Sequence, residues 1–207
     1  QILYSDTYTK NLKSSVSCVW KFIRFFVRKY EKNNWKHFDS IIASSKFTAK
    51  HIYDIYKIKS EVIYLGANNI FFKNNLTGKS NAILCLGDIK ARHALFLIET
   101  AYRLSKKRND FEIWIAGDKD AHGKELKELA RKLGISKIIK FYGKVSDEKL
   151  ASLYSSALVF THLVKDAPFG MQVTEAMASG TPVISWKPGG PEESITHNET
   201  GFLISQF

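Results

Sequence analysis

The chain has 207 residues, 44% of them hydrophobic and 13% aromatic, so it is long enough to bury a core and too apolar for a disordered segment. No apolar run reaches the roughly 18 residues that can span a bilayer. The net charge is +11, and residues 1–65 hold most of the excess, with 12 Lys and Arg against 5 Asp and Glu. The basic surface is therefore N-terminal.

Two cysteines and the first residue bear on where the protein works. Cys18 and Cys85 both stand in apolar company, which favours buried thiols of a reducing compartment over a disulfide framework. A cytoplasmic location is therefore expected. The chain opens on Gln rather than Met and shows no signal peptide, which suggests that the sequence begins inside a longer protein.

The first predicted element is a basic amphipathic helix over residues 17–32, SCVWKFIRFFVRKYEK. Aromatic and aliphatic residues fall largely on the side opposite its cations. Such a helix can rest on an anionic membrane surface, meet a nucleic acid backbone, or pack its aromatic face in a core. All three interpretations stay open, with core packing first and nucleic acid last. The cations at helical spacing are Lys21, Arg24, Arg28 and Lys32.

The remaining pattern alternates between strands and helices. FDSIIASSKFTAKHIYDIY predicts a short strand and a helix, and SEVIYLGANNIFF predicts a strand that enters an Asn-rich link. From residue 81 onward, short apolar runs are separated by amphipathic segments, which is typical of a parallel sheet with helices on both faces. The predicted fold class is α/β, a Rossmann-like parallel sheet preceded by a partial N-terminal α/β segment, with the division between residues 1–65 and 66–207.

Ligands of such sheets bind where the loops at the carboxyl ends of the strands gather. One of these loops opens the stretch Asp166–Ser185, in which Pro168 and Gly170 break the backbone ahead of a helix predicted from Met171 to Ala178. The free amides of its first turn form a ready anion site. Glu175, one turn further, is suited to accept hydrogen bonds from vicinal hydroxyls such as those of a ribose; the alternative is an ordinary exposed glutamate.

A second loop at the same edge carries cations. Lys90, Arg92 and His93 follow the first strand of the sheet, and two cations there would help neutralise a diphosphate. Solvated loop charges are the alternative interpretation. His162 ends a strand near the crevice and is expected to be a packing histidine, and the six histidines show no metal-ligand spacing.

The order PFG, EAMASGTPVIS and, some twenty residues later, GFLI resembles the C-terminal signature E-x-F-G-x-x-x-x-E-A-M-A-x-G-x-P-V-I of the GT4 family of retaining glycosyltransferases. IIASSKFTAKHI and VIYLGANNIFF resemble the end of that family's N-terminal domain and its interdomain hinge. ILYSDTYTK is weakly similar to a strand of mannosyltransferases of lipopolysaccharide assembly. The resemblance implies a GT-B fold, with residues 66–207 as the nucleotide-sugar-binding domain and residues 1–65 as a remnant of the acceptor-side domain and hinge.

Two positions depart from the family pattern. Ala167 stands where the family has its first glutamate, with Asp166 as the nearest acid, and Asp88 stands where the family has an arginine. By resemblance, the family lysine falls on Arg92. The implied catalytic residues are Arg92, Lys90 and Asp166.

The resemblance also implies which residues bind the donor. It assigns backbone contacts with the sugar, contacts with the distal phosphate, a contact with the ribose, and a base site after the third strand. The implied donor-binding residues are Gly87, Phe169, Gly170, Met171, Val173, Thr174, Glu175, Gly143 and Val145.

The implied activity is transfer of a hexose from a GDP- or UDP-linked sugar to an acceptor hydroxyl with retention, without cofactor or metal. The acceptor would be a surface or lipid-linked glycan, with peripheral membrane contact through residues 17–32 at the inner face of the membrane and no nucleic acid partner. The alternative is a non-catalytic nucleotide-sugar-binding module, which Ala167 and Asp88 favour. A Rossmann dehydrogenase is disfavoured because G-x-G-x-x-G follows none of the predicted strands, and neither a P-loop nor a G-x-S-x-G elbow is present.

Overall fold

The computed structural model describes residues 37–72, 78–86, 91–117 and 122–205, except for the side chains of residues 91–94 and 122–123. It also describes six isolated residues of the N-terminal segment, all helical, in agreement with the helix predicted there. Phe22, Phe26 and Tyr30 among them are exposed. The four cations predicted for that helix lie outside the described residues. The six isolated residues are Phe22, Ile23, Phe26, Val27, Tyr30 and Asn34.

A two-stranded parallel sheet precedes the larger one. Strand β1 (Ile42–Ala43) pairs with β2 (Glu61–Val62), and helix α1 (Lys46–Tyr56) connects them. The Ser45 hydroxyl accepts a hydrogen bond from the Thr48 amide at 2.9 Å and so begins α1. Lys57 takes a left-handed conformation and ends it. The predicted strand in SEVIYLG is thus only two residues long, and the predicted Asn-rich link contains a short 3-10 helix, Asn69–Phe72.

The larger sheet has six strands, all parallel, in the order β5-β4-β3-β6-β7-β8. Parallel strands that alternate with helices along the chain confirm the predicted α/β class. The division at residues 65 and 66 stays a prediction. The strands are β3 (Ser80–Leu86), β4 (Glu112–Ala116), β5 (Ile139–Gly143), β6 (Ala157–His162), β7 (Val183–Lys187) and β8 (Gly201–Ser205).

Helices cover both faces of this sheet. Because side chains alternate along a strand, Ile113 and Ile115 of β4 pack on one face, whereas Trp114 and Ala116 pack on the other. The first face is covered by α2 (Ala91–Ser105) and α3 (His122–Lys132), the second by α4 (Asp147–Ser156) and α5 (Met171–Ala178). Two shorter 3-10 helices span Ser136–Ile138 and Gly190–Glu193.

The strand order places a topological switch between β3 and β6. The chain runs outward from β3 to β4 and β5, then returns to the opposite side of β3 for β6, β7 and β8. Loops that leave adjacent strands in opposite directions leave a crevice between them, the usual ligand site of such sheets. The carboxyl ends of β3 and β6 therefore lie on either side of the expected ligand site.

The buried cysteine matches its prediction. Cys85 lies in β3 with 4% of its surface exposed, and burial raises the pKa of its thiol to about 11. It is therefore an inert thiol at neutral pH. Cys18 lies outside the described residues. No helix in the described part of the chain is long and apolar enough to cross a bilayer.

Candidate functional site

The centre of the candidate site is the β6–α5 loop, residues 163–170, together with the first turn of α5. Phe169 is buried, and Gly170 takes a left-handed conformation with φ of 87° as the residue before the helix. A Cβ at Gly170 would lie 2.9 Å from Cγ of Pro191 and 3.4 Å from Cγ2 of Val173. Both the backbone angle and the close packing therefore require glycine at this position.

The first turn of α5 presents its amides toward this loop. The Val173 amide donates to the Gly170 carbonyl at 2.8 Å, and the Thr174 hydroxyl donates to the Met171 carbonyl at 2.8 Å. The amides that precede Val173 stand where a helix leaves donors for an anion. Contact of Val173 and Thr174 with a phosphate stays a prediction, and the Val173 amide would have to share its hydrogen with Gly170.

Glu175 lies on α5 and is half-buried rather than an ordinary exposed glutamate. Burial raises the pKa of its carboxyl, a hydrogen bond from Tyr154 lowers it, and the negative charge of Asp147 raises it, with a net upward shift. The Tyr154 hydroxyl donates to Oε2 of Glu175 at 3.3 Å. A carboxylate held in this way, one turn beyond the helix terminus, is placed to accept further hydrogen bonds.

The predicted base site lies after β5. Gly143 ends this strand with φ of 67°, and its carbonyl accepts a hydrogen bond from the Gly117 amide at 2.9 Å. Gly117 itself follows β4, so the two loops are tied together at the carboxyl edge of the sheet. Val145 is half-buried against the core cluster beneath α4. Contact of Gly143 and Val145 with a base stays a prediction.

The two candidates for the acidic position differ in exposure. Ala167 is 3% exposed, and its carbonyl accepts a hydrogen bond from the Gly190 amide at 2.8 Å. Asp166 is partly exposed and takes a left-handed conformation with φ of 50°. The carboxylate of this loop thus sits one residue earlier than in the family pattern.

Gly190 makes a close backbone approach to the β6–α5 loop that sequence reasoning missed. A Cβ at this position would overlap the Pro168 carbonyl oxygen and would lie 2.5 Å from Cα of Phe169. The Gly189–Gly190 pair is visible in the sequence, but it does not indicate which backbone segment packs against it.

Helix α1 also holds this loop, a second feature that the sequence did not indicate. The hydroxyls of Ser45 and Thr48 both donate to the Pro168 carbonyl, Thr48 at 3.0 Å. Ser45 is fully buried there. The ring of Tyr64 lies 6.2 Å from that of Phe169, centroid to centroid.

Glu193 joins the same two regions. Its carboxylate accepts hydrogen bonds from the Lys46 amide at 2.9 Å and the Phe47 amide at 2.8 Å, and from the Tyr64 hydroxyl at 2.9 Å. Burial raises the pKa of this carboxyl, but the bonds from Phe47 and Lys46 outweigh that effect, so the net shift is downward. A carboxylate at a helix N-terminus is also favoured by the helix dipole.

Replacing Glu193 with alanine is expected to lower the free energy of unfolding by about 1–2 kcal/mol, because two amides of α1 lose their cap. Since the pKa of Glu193 is lowered in the folded state, this contribution is present above its ordinary pKa of 4.5 and is lost as the pH falls through the lowered value. Urea denaturation of the parent chain and of the Glu193→Ala variant, each at neutral and at acid pH, measures the difference in the free energy of unfolding. The exposed Glu199→Ala variant is the control, and equal losses in the two variants would contradict the capping role.

The remaining predicted residues divide by what the structure describes. His162 is 5% exposed and lies 3.4 Å, ring Nδ1 to hydroxyl, from Ser185, which confirms the prediction of a packing histidine. Gly87 and Lys90 lie outside the described residues. Arg92 is placed by its backbone in the first turn of α2, and its side chain is not described. In the described part of the chain, no three His, Cys, Asp or Glu side chains form a group suited to a metal ion.

Comparison with known proteins connects this geometry to a family. Residues 66–207 match the family described as Glycosyl transferases group 1. The alpha-1,3/1,6-mannosyltransferase ALG2 of Homo sapiens is 27% identical over 197 residues, which cover 80% of this chain and 46% of that protein.

Two solved structures share the fold. The glycosyltransferase from Rickettsia africae superposes with a TM-score of 0.74 at 26% identity, over 86% of this chain and 52% of that one. Anabaena Alr3699/HepE, solved in complex with UDP and glucose, superposes with a TM-score of 0.71 at 22% identity, over 86% of this chain and 53% of that one. The chain thus spans about half the length of these proteins.

Proposed function

The chain belongs to the group 1 glycosyl transferases, and on that premise we propose that it binds the sugar nucleotide donor of a hexosyltransferase. The observation that carries the proposal is the arrangement at the carboxyl edge of β6. There Phe169 and Gly170 directly precede the first amides of α5, and the half-buried Glu175 lies one turn further along the same helix.

Each part of this arrangement matches one part of a nucleoside diphosphate sugar. The amides at the start of α5 would hold the distal phosphate and stabilise the negative charge that develops on the departing diphosphate. Glu175 would accept hydrogen bonds from the two ribose hydroxyls. The backbone of the β6–α5 loop would hold the sugar, and the loops after β4 and β5 would border the base.

In the proposed transfer, the bond between the anomeric carbon and the diphosphate oxygen breaks, the acceptor oxygen bonds to the same face of the sugar, and the hydroxyl proton passes to the leaving diphosphate oxygen. The protein's contribution is to orient the two reactants, stabilise the leaving diphosphate and exclude water. Lys90 and Arg92 are proposed to add positive charge at the diphosphate, and Asp166 is proposed to contact the sugar. Retention and independence of metal and cofactor are part of this proposal.

The acceptor is proposed to be a surface or lipid-linked glycan and the location cytoplasmic. The human relative is named as a mannosyltransferase, which supports a hexose as the transferred group, and the Anabaena structure contains UDP and glucose, which supports a UDP-linked donor. A GDP-linked hexose is the other proposed donor. Exposed aromatic residues at Phe22, Phe26 and Tyr30 support contact of the basic helix with the inner membrane face. Nucleic acid is not part of the proposal.

A binding module without transfer is the second candidate function. The observation that favours it is Ala167, which is buried and lacks the carboxylate that the family pattern has at this position. Both candidates require the donor site, so nucleotide binding tests what they share, and transfer by the full-length protein separates them.

Calorimetric titration of this chain with UDP, GDP and ADP, and with their glucose, mannose and N-acetylglucosamine conjugates, tests the donor site. One diphosphate series is expected to bind with a stoichiometry of one, because the proposal places a single base site beside the loops after β4 and β5. The unconjugated monosaccharides are the control for binding through the sugar alone. Absence of heat of binding for every nucleotide would contradict the proposed function.

A further inference from the structure

We propose that Tyr154 is a positioning residue of the donor site, whose hydroxyl fixes the Glu175 carboxylate in the orientation that receives the ribose. The inference rests on the proposed function and adds a residue that does not itself touch the nucleotide. It comes from the position of the buried Tyr154 hydroxyl, which lies beside the Glu175 carboxylate.

Tyr154 is held rigidly on the inner face of α4. Its side chain is fully buried, and its ring packs edge-on against Phe71 at 5.9 Å and Phe160 at 5.1 Å between centroids. These two contacts come from the 3-10 helix before β3 and from β6. The ring is therefore packed on two sides, and its hydroxyl lies between α4 and α5.

A buried hydroxyl requires a partner, and the partner here is functional. The Tyr154 hydroxyl donates to Oε2 of Glu175 at 3.3 Å. A carboxylate offers about four lone-pair directions on its two oxygens, so one bond from Tyr154 leaves room for two more donors. Vicinal hydroxyls of a ribose are two donors at the right spacing for one carboxylate. The bond also restricts the side-chain rotation of Glu175 before the ligand arrives.

The same bond favours the ionised form of Glu175. Among the described residues, the titratable groups that act on this carboxylate are Tyr154 and Asp147, both on α4. Burial and the charge of Asp147 favour the protonated carboxyl, whereas the hydrogen bond from Tyr154 favours the carboxylate. The ionised carboxylate can accept two hydroxyl hydrogens, whereas the protonated carboxyl carries a hydrogen of its own on one oxygen. Removing the bond is therefore expected to weaken binding most at mildly acid pH.

The test is the Tyr154→Phe variant, titrated from pH 5 to 8 with whichever nucleoside diphosphate the parent chain binds. Since loss of the hydrogen bond raises the pKa of Glu175, the acid limb of the binding curve is expected to move to higher pH. Affinity at neutral pH is expected to fall about tenfold, from loss of the fixed carboxylate orientation. Tyr102→Phe, a half-buried tyrosine in α2 on the opposite face of the sheet, is the matched control.

A double-mutant cycle with Glu175→Gln separates positioning from a packing defect. In the background of the Glu175→Gln variant, a positioning role predicts that Tyr154→Phe has little further effect on affinity, whereas a packing defect would lower it by the same factor in both backgrounds. An unchanged acid limb, or equal factors in the two backgrounds, would overturn the role of Tyr154 while leaving the donor site intact. Failure of the parent chain to bind any nucleotide would overturn the proposed function, and the positioning role with it.

Discussion

Replacing Glu175 with alanine is expected to abolish binding of the nucleoside diphosphate, with a loss of affinity of about 100-fold or more. The variant removes an acceptor for two ribose hydroxyls, and hydrogen bonds to a charged group contribute about 1.5–3 kcal/mol each. The same change leaves the buried Tyr154 hydroxyl without its acceptor. Calorimetric titration of the parent and the variant with the preferred nucleotide measures the loss.

The control for this experiment is Glu128→Ala. Glu128 lies on α3 in an exposed ion pair with Arg131, and removing such a pair changes little. Urea denaturation of both variants shows whether Glu175→Ala remains folded under the titration conditions. Unaltered nucleotide affinity in folded Glu175→Ala would contradict the assignment of the ribose contact.

The Gly190→Ala variant is expected to lose donor binding although residue 190 is assigned no ligand contact. The added Cβ would overlap the Pro168 carbonyl oxygen and lie 2.5 Å from Cα of Phe169, and both of these neighbours are backbone atoms that cannot rotate away. The β6–α5 loop must therefore shift, and this shift displaces Phe169 and Gly170, the two residues that precede α5. Overpacking of this kind also lowers the free energy of unfolding, by about 1–3 kcal/mol.

The effect of Gly190→Ala is measured by nucleotide titration together with a urea denaturation curve. Gly78→Ala is the matched control, because a Cβ at Gly78 would meet no atom within 4 Å. Glycine-to-alanine changes in open space alter stability chiefly through the unfolded chain. If Gly190→Ala bound the nucleotide as tightly as Gly78→Ala, the close approach would have no role in shaping the site.

Much of the architecture could be predicted because it depends on local patterns. The alternation of short apolar runs with amphipathic segments predicted the parallel sheet with helices on both faces, and Pro168 and Gly170 marked the start of α5. The strand at SEVIYLG was predicted too long, since apolar residues such as Ile63 and Leu65 continue the pattern while pairing stops after Val62. The hydrophobic pattern shows which side chains are apolar, but it does not show where the backbone pairing between two strands ends.

The contacts that shape the site could not be predicted in this way. Tyr154 reads as one more apolar position of α4, and only the packing of α4 on α5 shows that its hydroxyl reaches Glu175. The bonds from Ser45 to Pro168 and from the α1 amides to Glu193 join residues more than 100 positions apart. Such contacts arise from the tertiary arrangement and leave no local signal.

The bonds between α1 and the later part of the chain have a mechanical consequence. Ser45, Thr48 and Tyr64 donate hydroxyl hydrogens, and α1 donates two amide hydrogens, to only two acceptors, the Pro168 carbonyl and the Glu193 carboxylate. Rotation of α1 and its cap Ser45 away from these acceptors strains four of these bonds together, those from Ser45, Thr48 and the two amides, so separation is expected to proceed as one cooperative step rather than by gradual slippage. Because Pro168 belongs to the β6–α5 loop, that step would free the Pro168 carbonyl at the same moment.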